Sequence, residues 1–169
     1  MVERVSLRDY QRELAARLSA PEGALAAPKL ALQAGRESWL VDLADAGEVL
    51  PVPAVSALPL TRPWFRGVAN VRGNLYSVID FPAFLGGTPV VAGERTRLLL
   101  LGERFKVYAA LLVDATLGLR SPDQFAQRSA SAGRKSWVRA EFEDKSGAHW
   151  RELDVAQLVQ DAEFLSVGA

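Results

Sequence analysis

Hydrophobic positions change their period along this chain. Over residues 1 to 20, Leu7, Tyr10, Leu14 and Leu18 recur at helical spacing, with Arg8, Arg12, Glu13 and Arg17 beside the stripe. That pattern predicts an amphipathic helix. Ser6 and Asp9 stand at capping-box spacing, Asp replacing the usual longer acid, and Pro21 and Gly23 stop the element. A helix this short is marginal alone in water and needs a surface, its own domain's or a partner's. The small-residue connector from 20 to 28 sets a leading segment, 1–28, apart from a domain over 29–169.

From Lys29 the period falls to two. Leu30 and Leu32 alternate with Ala31 and Gln33, Gly35-Arg36 turns the chain, and Trp39, Val41 and Leu43 alternate with Leu40 and Asp42. Glu48 to Pro53 is a further extended piece whose prolines suit only an edge or a strand end. Arg62 to Gly86 carries the strongest local signal. Phe65 to Val71 and Leu75 to Phe81 flank Arg72-Gly73, so a hairpin is predicted, with glycine supplying the positive φ of its turn. Both alternating faces of Leu75 to Phe81 are mostly apolar, as in a strand covered on two sides. Arg72 sits at the rim of that element, where its guanidinium either holds a carboxylate or is simply solvated.

Pro89 to Arg95 is a polar loop that the reading takes as the approximate division between two lobes. Thr96 to Leu101 and Phe105 to Asp114 then read as a second hairpin joined by Gly102-Glu103-Arg104, and Leu111-Leu112-Val113-Asp114 echoes Leu40-Val41-Asp42. Ser121 to Phe125 starts a turn, Gln127 to Lys135 reads as a basic loop, and Trp137 to Glu143 alternates as a strand. A closing helix from Asp154 is expected to carry Val155, Leu158, Val159, Ala162 and Leu165 on one stripe. Short strands with a helix at each end make a mainly β fold.

Composition narrows the function. With 49% hydrophobic residues among 169, the chain can bury a core, and 20 basic against 20 acidic side chains leave no net field to attract nucleic acid or an anionic membrane. No cysteine and a single histidine, His149, leave no thiolate metal site and no evident nucleophile and base pair, so neither an enzyme nor a cofactor is expected. No apolar run reaches the roughly 18 to 20 residues of a spanning helix, so a cytoplasmic protein without membrane insertion is expected. Two alternatives remain open: a small β-barrel that binds nucleic acid, and an uncharacterised hydrolase.

Pro63, Gly67-Val68, Asn70-Val71-Arg72-Gly73 and Val78-Ile79-Asp80-Phe81 resemble the central signature of the CheW family, P-x-[FW]-[LIV]-x-G-[VI]-x-N-[LV]-R-G followed by a strand ending V-I-D-L. The chain departs at Ser77, where that family usually has proline. Upstream, Trp39, Val41, Leu43, Ala46, Glu48 and Val49 fall in register with the family pattern Y-x-I-x-I-x-x-V-x-E-I, Ala46 being smaller than the usual valine. The resemblance implies two five-stranded, SH3-like β-barrel lobes sharing an apolar interface. It implies a receptor-binding set of Val41, Leu43, Ala46, Glu48, Val49, Asn70 and Arg72, with Glu48 close to Arg72. Ser121, Gln124 and Phe125 resemble a short family segment implied in kinase contacts, which makes Gln124 and Phe125 the kinase-binding candidates. Trp150, Asp154, Leu158, Asp161, Phe164 and Leu165, with the helical start, are similar to the PilI branch, the adaptors of twitching motility driven by type IV pili. The implied function is a non-catalytic adaptor in a chemotaxis-like two-component system. It would couple a chemoreceptor's cytoplasmic helical tip to the regulatory domain of a CheA-type histidine kinase.

Overall fold

Residues 27–130 and 132–169 are described by a computed structural model. The expected helix at the start of the chain lies outside the described residues.

Among the described residues, twelve strands form two antiparallel-rich sheets. The first has the order β10-β11-β12-β2-β1-β9 and is built from β1 (Lys29–Ala34), β2 (Glu37–Asp42), β9 (Ala115–Arg120), β10 (Phe125–Arg128), β11 (Val138–Asp144) and β12 (His149–Leu153). The second has the order β3-β7-β8-β6-β5-β4 and takes β3 (Ala46–Pro51), β4 (Val55–Ser56), β5 (Phe65–Val71), β6 (Asn74–Asp80), β7 (Arg97–Leu101) and β8 (Ala109–Val113). The mainly β expectation holds, with two corrections. Among the described residues, each sheet has six strands in an open order, where five-stranded barrels were expected. The loop over 89–95 does not separate the sheets, because β6 before it and β8 after it pair in parallel within the second sheet. The first sheet instead draws strands from both ends of the described chain.

The main core lies between the sheets. Leu30, Leu32, Trp39 and Val41 of the first sheet meet Phe65, Ile79, Leu99 and Leu111 of the second. Trp39 is fully buried there, its ring 5.2 Å from that of Phe81 and 5.8 Å from that of Trp137. Each sheet buries a separate cluster on its far side, so strands such as β6 are apolar on both faces. Ile79 joins the shared core while Tyr76 and Val78 join the second sheet's own cluster. The expected hairpin is present: Val71 pairs with Asn74, leaving Arg72-Gly73 as a two-residue turn with φ of 51° and 88°. Two positive φ values in succession match the twist of the flanking strands. Asp80 is completely buried and caps helix α1 (Phe81–Phe84), accepting from the Ala83 and Val90 amides while Arg66 Nε donates to it at 2.9 Å.

Three local expectations are corrected. Apolar residues from Phe105 do not start a strand, because Glu103–Phe105 is a 3-10 turn ended by Lys106 at φ 55°, and β8 begins at Ala109. Phe125 to Arg128 pairs with β11, although Gln127 and Arg128 fall in the expected basic loop. The closing helix is two helices, α2 (Val155–Leu158) capped by Asp154 and α3 (Ala162–Leu165) capped by Asp161. That second cap turns Phe164 into the core and leaves Leu165 60% exposed.

Candidate functional site

β3 is an edge strand, and it carries a bulge. Ala46 faces Leu101 and Val49 faces Leu99, so β3 spends one residue more than β7 over the same stretch. Glu48 lies in that bulge, and such an insertion re-aims a side chain out of the ladder. Gly47 makes the approach possible, since a Cβ there would meet the Leu100 carbonyl oxygen at 3.0 Å.

Arg72 approaches from the β5–β6 turn. In a flat sheet β3 and β6, three ladder steps apart, would stand about 14 Å from each other. The two long side chains bridge that span, Arg72 Nη1 and Nη2 each donating to a Glu48 carboxylate oxygen at 2.5 Å. This is the paired geometry in which a planar guanidinium matches a carboxylate. The hydrogen bonds from Arg72 hold the Glu48 carboxyl below the usual glutamate range, and those same bonds raise Arg72. The two side chains stay 72% and 41% exposed, so the pair marks a surface and adds little to stability. Asn70 fixes the turn beneath it, its Oδ1 accepting from the Gly73 amide at 2.9 Å. A groove of about 500 Å³ opens beside the hairpin between Asn74, Tyr76, Leu101, Glu103, Lys106, Val107 and Tyr108.

The remaining expected receptor-binding residues divide by burial. Leu43 is 43% exposed at the end of β2. Ala46 and Val49 are half-buried against the shared core and form the base of β3. Val41 is a correction: it is completely buried between β1 and β12 and has no surface to offer a partner. Of the kinase-binding candidates, Gln124 is exposed on a 3-10 turn, while Phe125 packs half-buried against Trp150 and Phe142, at ring distances of 5.3 and 6.1 Å. Both lie in the first sheet's region, on β10 or just before it, whereas Glu48 and Arg72 belong to the second sheet.

A charged network was missed in the sequence. Lys29 Nζ donates to Asp42 at 2.5 Å and to buried Glu152 at 2.6 Å, and Arg139 donates to Asp42, Glu152 and Asp154. Burial alone would lower Lys29 and raise Asp42, but their bonds to each other, to Glu152 and to Arg139 outweigh it, so Lys29 is raised and Asp42 lowered. No single stretch signalled this, since Lys29 and Glu152 are 123 residues apart. Ser77 shows what its departure from proline does: its amide, which proline would lack, donates to the Tyr108 carbonyl at 2.8 Å. Among the described residues, no group of His, Asp and Glu is arranged to hold a metal, and no helix is long and apolar enough to cross a membrane.

Comparison with known proteins places this geometry. Protein PilI of Pseudomonas aeruginosa is 34% identical over 110 residues, 64% of this chain and 61% of that protein, so less than two thirds of the relative's length is spanned. The likeness to PilI expected from the C-terminal pattern is thus found. The crystal structure of scaffolding protein TtCheW from Thermoanaerobacter tengcongensis superposes with a TM-score of 0.63 at 17% identity, over 75% of this chain and 88% of that one, a likeness of fold. Residues 30–163 match the family described as the CheW-like domain, and the chain belongs to that family.

Proposed function

We propose that this protein is a non-catalytic signalling adaptor that joins a chemoreceptor's cytoplasmic helical tip to a CheA-type histidine kinase, in a pathway that controls twitching motility. The observation that carries the reading is the exposed, doubly bonded Glu48–Arg72 pair on the rim of the second sheet. Membership of the CheW-like family supports the adaptor role, and the identity to PilI supports the pilus pathway. Leu43 is exposed at the end of β2, Ala46 and Val49 are half-buried on β3, the strand that carries Glu48, and Asn70 sets the turn that carries Arg72. A helix laid there would bury those side chains and read the charged pair at its edge. Gln124 and Phe125, on the other sheet, are assigned to the kinase, so one molecule touches both partners at once. An adaptor of this kind transmits a signal by binding one receptor–kinase state better than another, and needs no chemistry of its own.

Co-sedimentation of receptor tip fragments and kinase with the protein tests the reading. Addition of the wild type brings kinase into the receptor pellet, and Arg72→Glu, placing like charges side by side, removes it. A folded Arg72→Glu protein that recruits kinase as the wild type does would end the assignment.

A further inference from the structure

Asp45 is an expensive residue for a turn. It stands between β2 and β3, is 1% exposed, and carries a carboxylate whose burial costs free energy unless it is paired. A turn-forming aspartate earns its place by bonding to its own backbone. The Asp45 carboxylate does not do so. Its Oδ1 accepts from Arg104 Nη2, while Oδ2 is buried without a hydrogen bond and faces Arg139 Nη2 at 3.7 Å. Arg104 follows β7 in the second sheet, and Arg139 belongs to β11 in the first. One buried carboxylate is therefore shared by an arginine from each sheet.

The backbone is held at the same point. Asp45 N–H donates to the Asp42 carbonyl at 2.9 Å, and its own carbonyl accepts from Gly102 N–H at 2.8 Å. A Cβ at Gly102 would stand 2.9 Å from that carbonyl oxygen, so glycine is required for the approach. β3 begins at the next residue, and Glu48 follows two residues later in the bulge.

We infer that Asp45 is a positioning residue: its carboxylate, clamped by Arg104 and Arg139, fixes the start of β3 so that the bulge presents Glu48 to Arg72, and it ties the docking rim to both sheets. The link to docking rests on the proposed function. The positioning does not, and has a readout that needs no partner. A force on Glu48 reaches the first sheet through Arg139, which also holds Asp42, Glu152 and Asp154.

The experiment follows the Glu48 carboxyl by carbon-13 NMR titration in the full chain, with Glu48→Gln for assignment. In the wild type it titrates below the ordinary glutamate range. In Asp45→Asn and Arg104→Gln the midpoint returns toward that range, and Arg104→Lys, which keeps the charge, stays near the wild type. Arg104 is 57% exposed, so Arg104→Gln decides the matter if Asp45→Asn does not fold. The same two variants weaken receptor-tip binding roughly three- to thirty-fold. A Glu48 midpoint unmoved in folded Arg104→Gln overturns the inference. A midpoint that moves while binding stays constant keeps the clamp and refutes the docking reading alone.

Discussion

The far faces of the two sheets solve the same problem differently. Among the described residues, the second sheet buries nine apolar side chains on its far side, from Ala69 to Leu112, whereas the first buries three, Ala31, Leu40 and Trp150, with Leu117, Phe125 and Phe142 half-covered around them. Where apolar residues run short, the first sheet places Lys29, Asp42, Arg139 and Glu152. One face is held by contacts that ignore salt and pH, the other by ion pairs that do not. The rim bearing Glu48 and Arg72 grows from the sheet with the apolar far face, and its neighbour supplies charge through Arg139 to the Asp45 clamp.

Breaking the charged face is expected to have the largest effect. Lys29→Met removes the cation between Asp42 and Glu152, and Glu152 is only 4% exposed. Arg139 remains 3.2 Å from Glu152, so the change should cost about 3 kcal/mol, the lower end of what a buried carboxylate loses with its partner, to be read from denaturant unfolding. Leu98→Ala in the apolar face, where Leu98 is fully buried, should cost about 2 to 5 kcal/mol, near the lower end if the site collapses, and unlike the first change it should be independent of salt. Equal salt dependence of the two losses would erase the distinction between the faces.

Acid and base should separate the faces further. Asp42 has its folded pKa lowered, so its contribution is present above the unfolded value of about 3.9 and is lost as pH falls through the folded one. Lys29 has its folded pKa raised, so its contribution is present below about 10.4 and is lost as pH rises through the folded value. The melting temperature is therefore expected to be level from about pH 5 to about 10 and to fall on both sides. Asp42→Asn flattens the acid limb, leaving the parts due to Glu48, lowered by its bonds from Arg72, and to Asp144, whose carboxyl is held at about 2 by Ser146 and Trp150. Smaller still is Asn70→Ala, which removes the bond to Gly73 and costs about 1 kcal/mol in thermal unfolding.

The same contrast decides what the sequence disclosed. The hairpin from Phe65 to Asp80 was legible because alternation, a glycine turn and two apolar faces coincide in one stretch. β10 was not: Phe125-Ala126-Gln127-Arg128 offers one large apolar side chain and becomes a strand only by pairing with β11. The double break at the C-terminus was written in Asp154 and Asp161, two caps seven residues apart, but the apolar stripe concealed it. Val41 joined the docking set through resemblance alone, but β2 is covered on both faces, with Val41 in the shared core and Leu40 in the far cluster. Charges scattered from Lys29 to Glu152 read singly as solvated side chains; Lys29 faces Asp42 across β1 and β2, and the parallel pairing of β12 with β2 brings Glu152 to them. The Glu48–Arg72 pair had no local signature at all. It was expected only through resemblance, and the bulge in β3 supplies its physical reason.

The most direct measurement is a charge swap across the rim, read as receptor-dependent kinase activity in a reconstituted assembly. Arg72→Glu and Glu48→Arg alone should each abolish coupling while the unfolding midpoint stays where it is, and the double variant should recover a substantial part of it. Full coupling in either folded single variant, with both partners bound as by the wild type, would contradict the account.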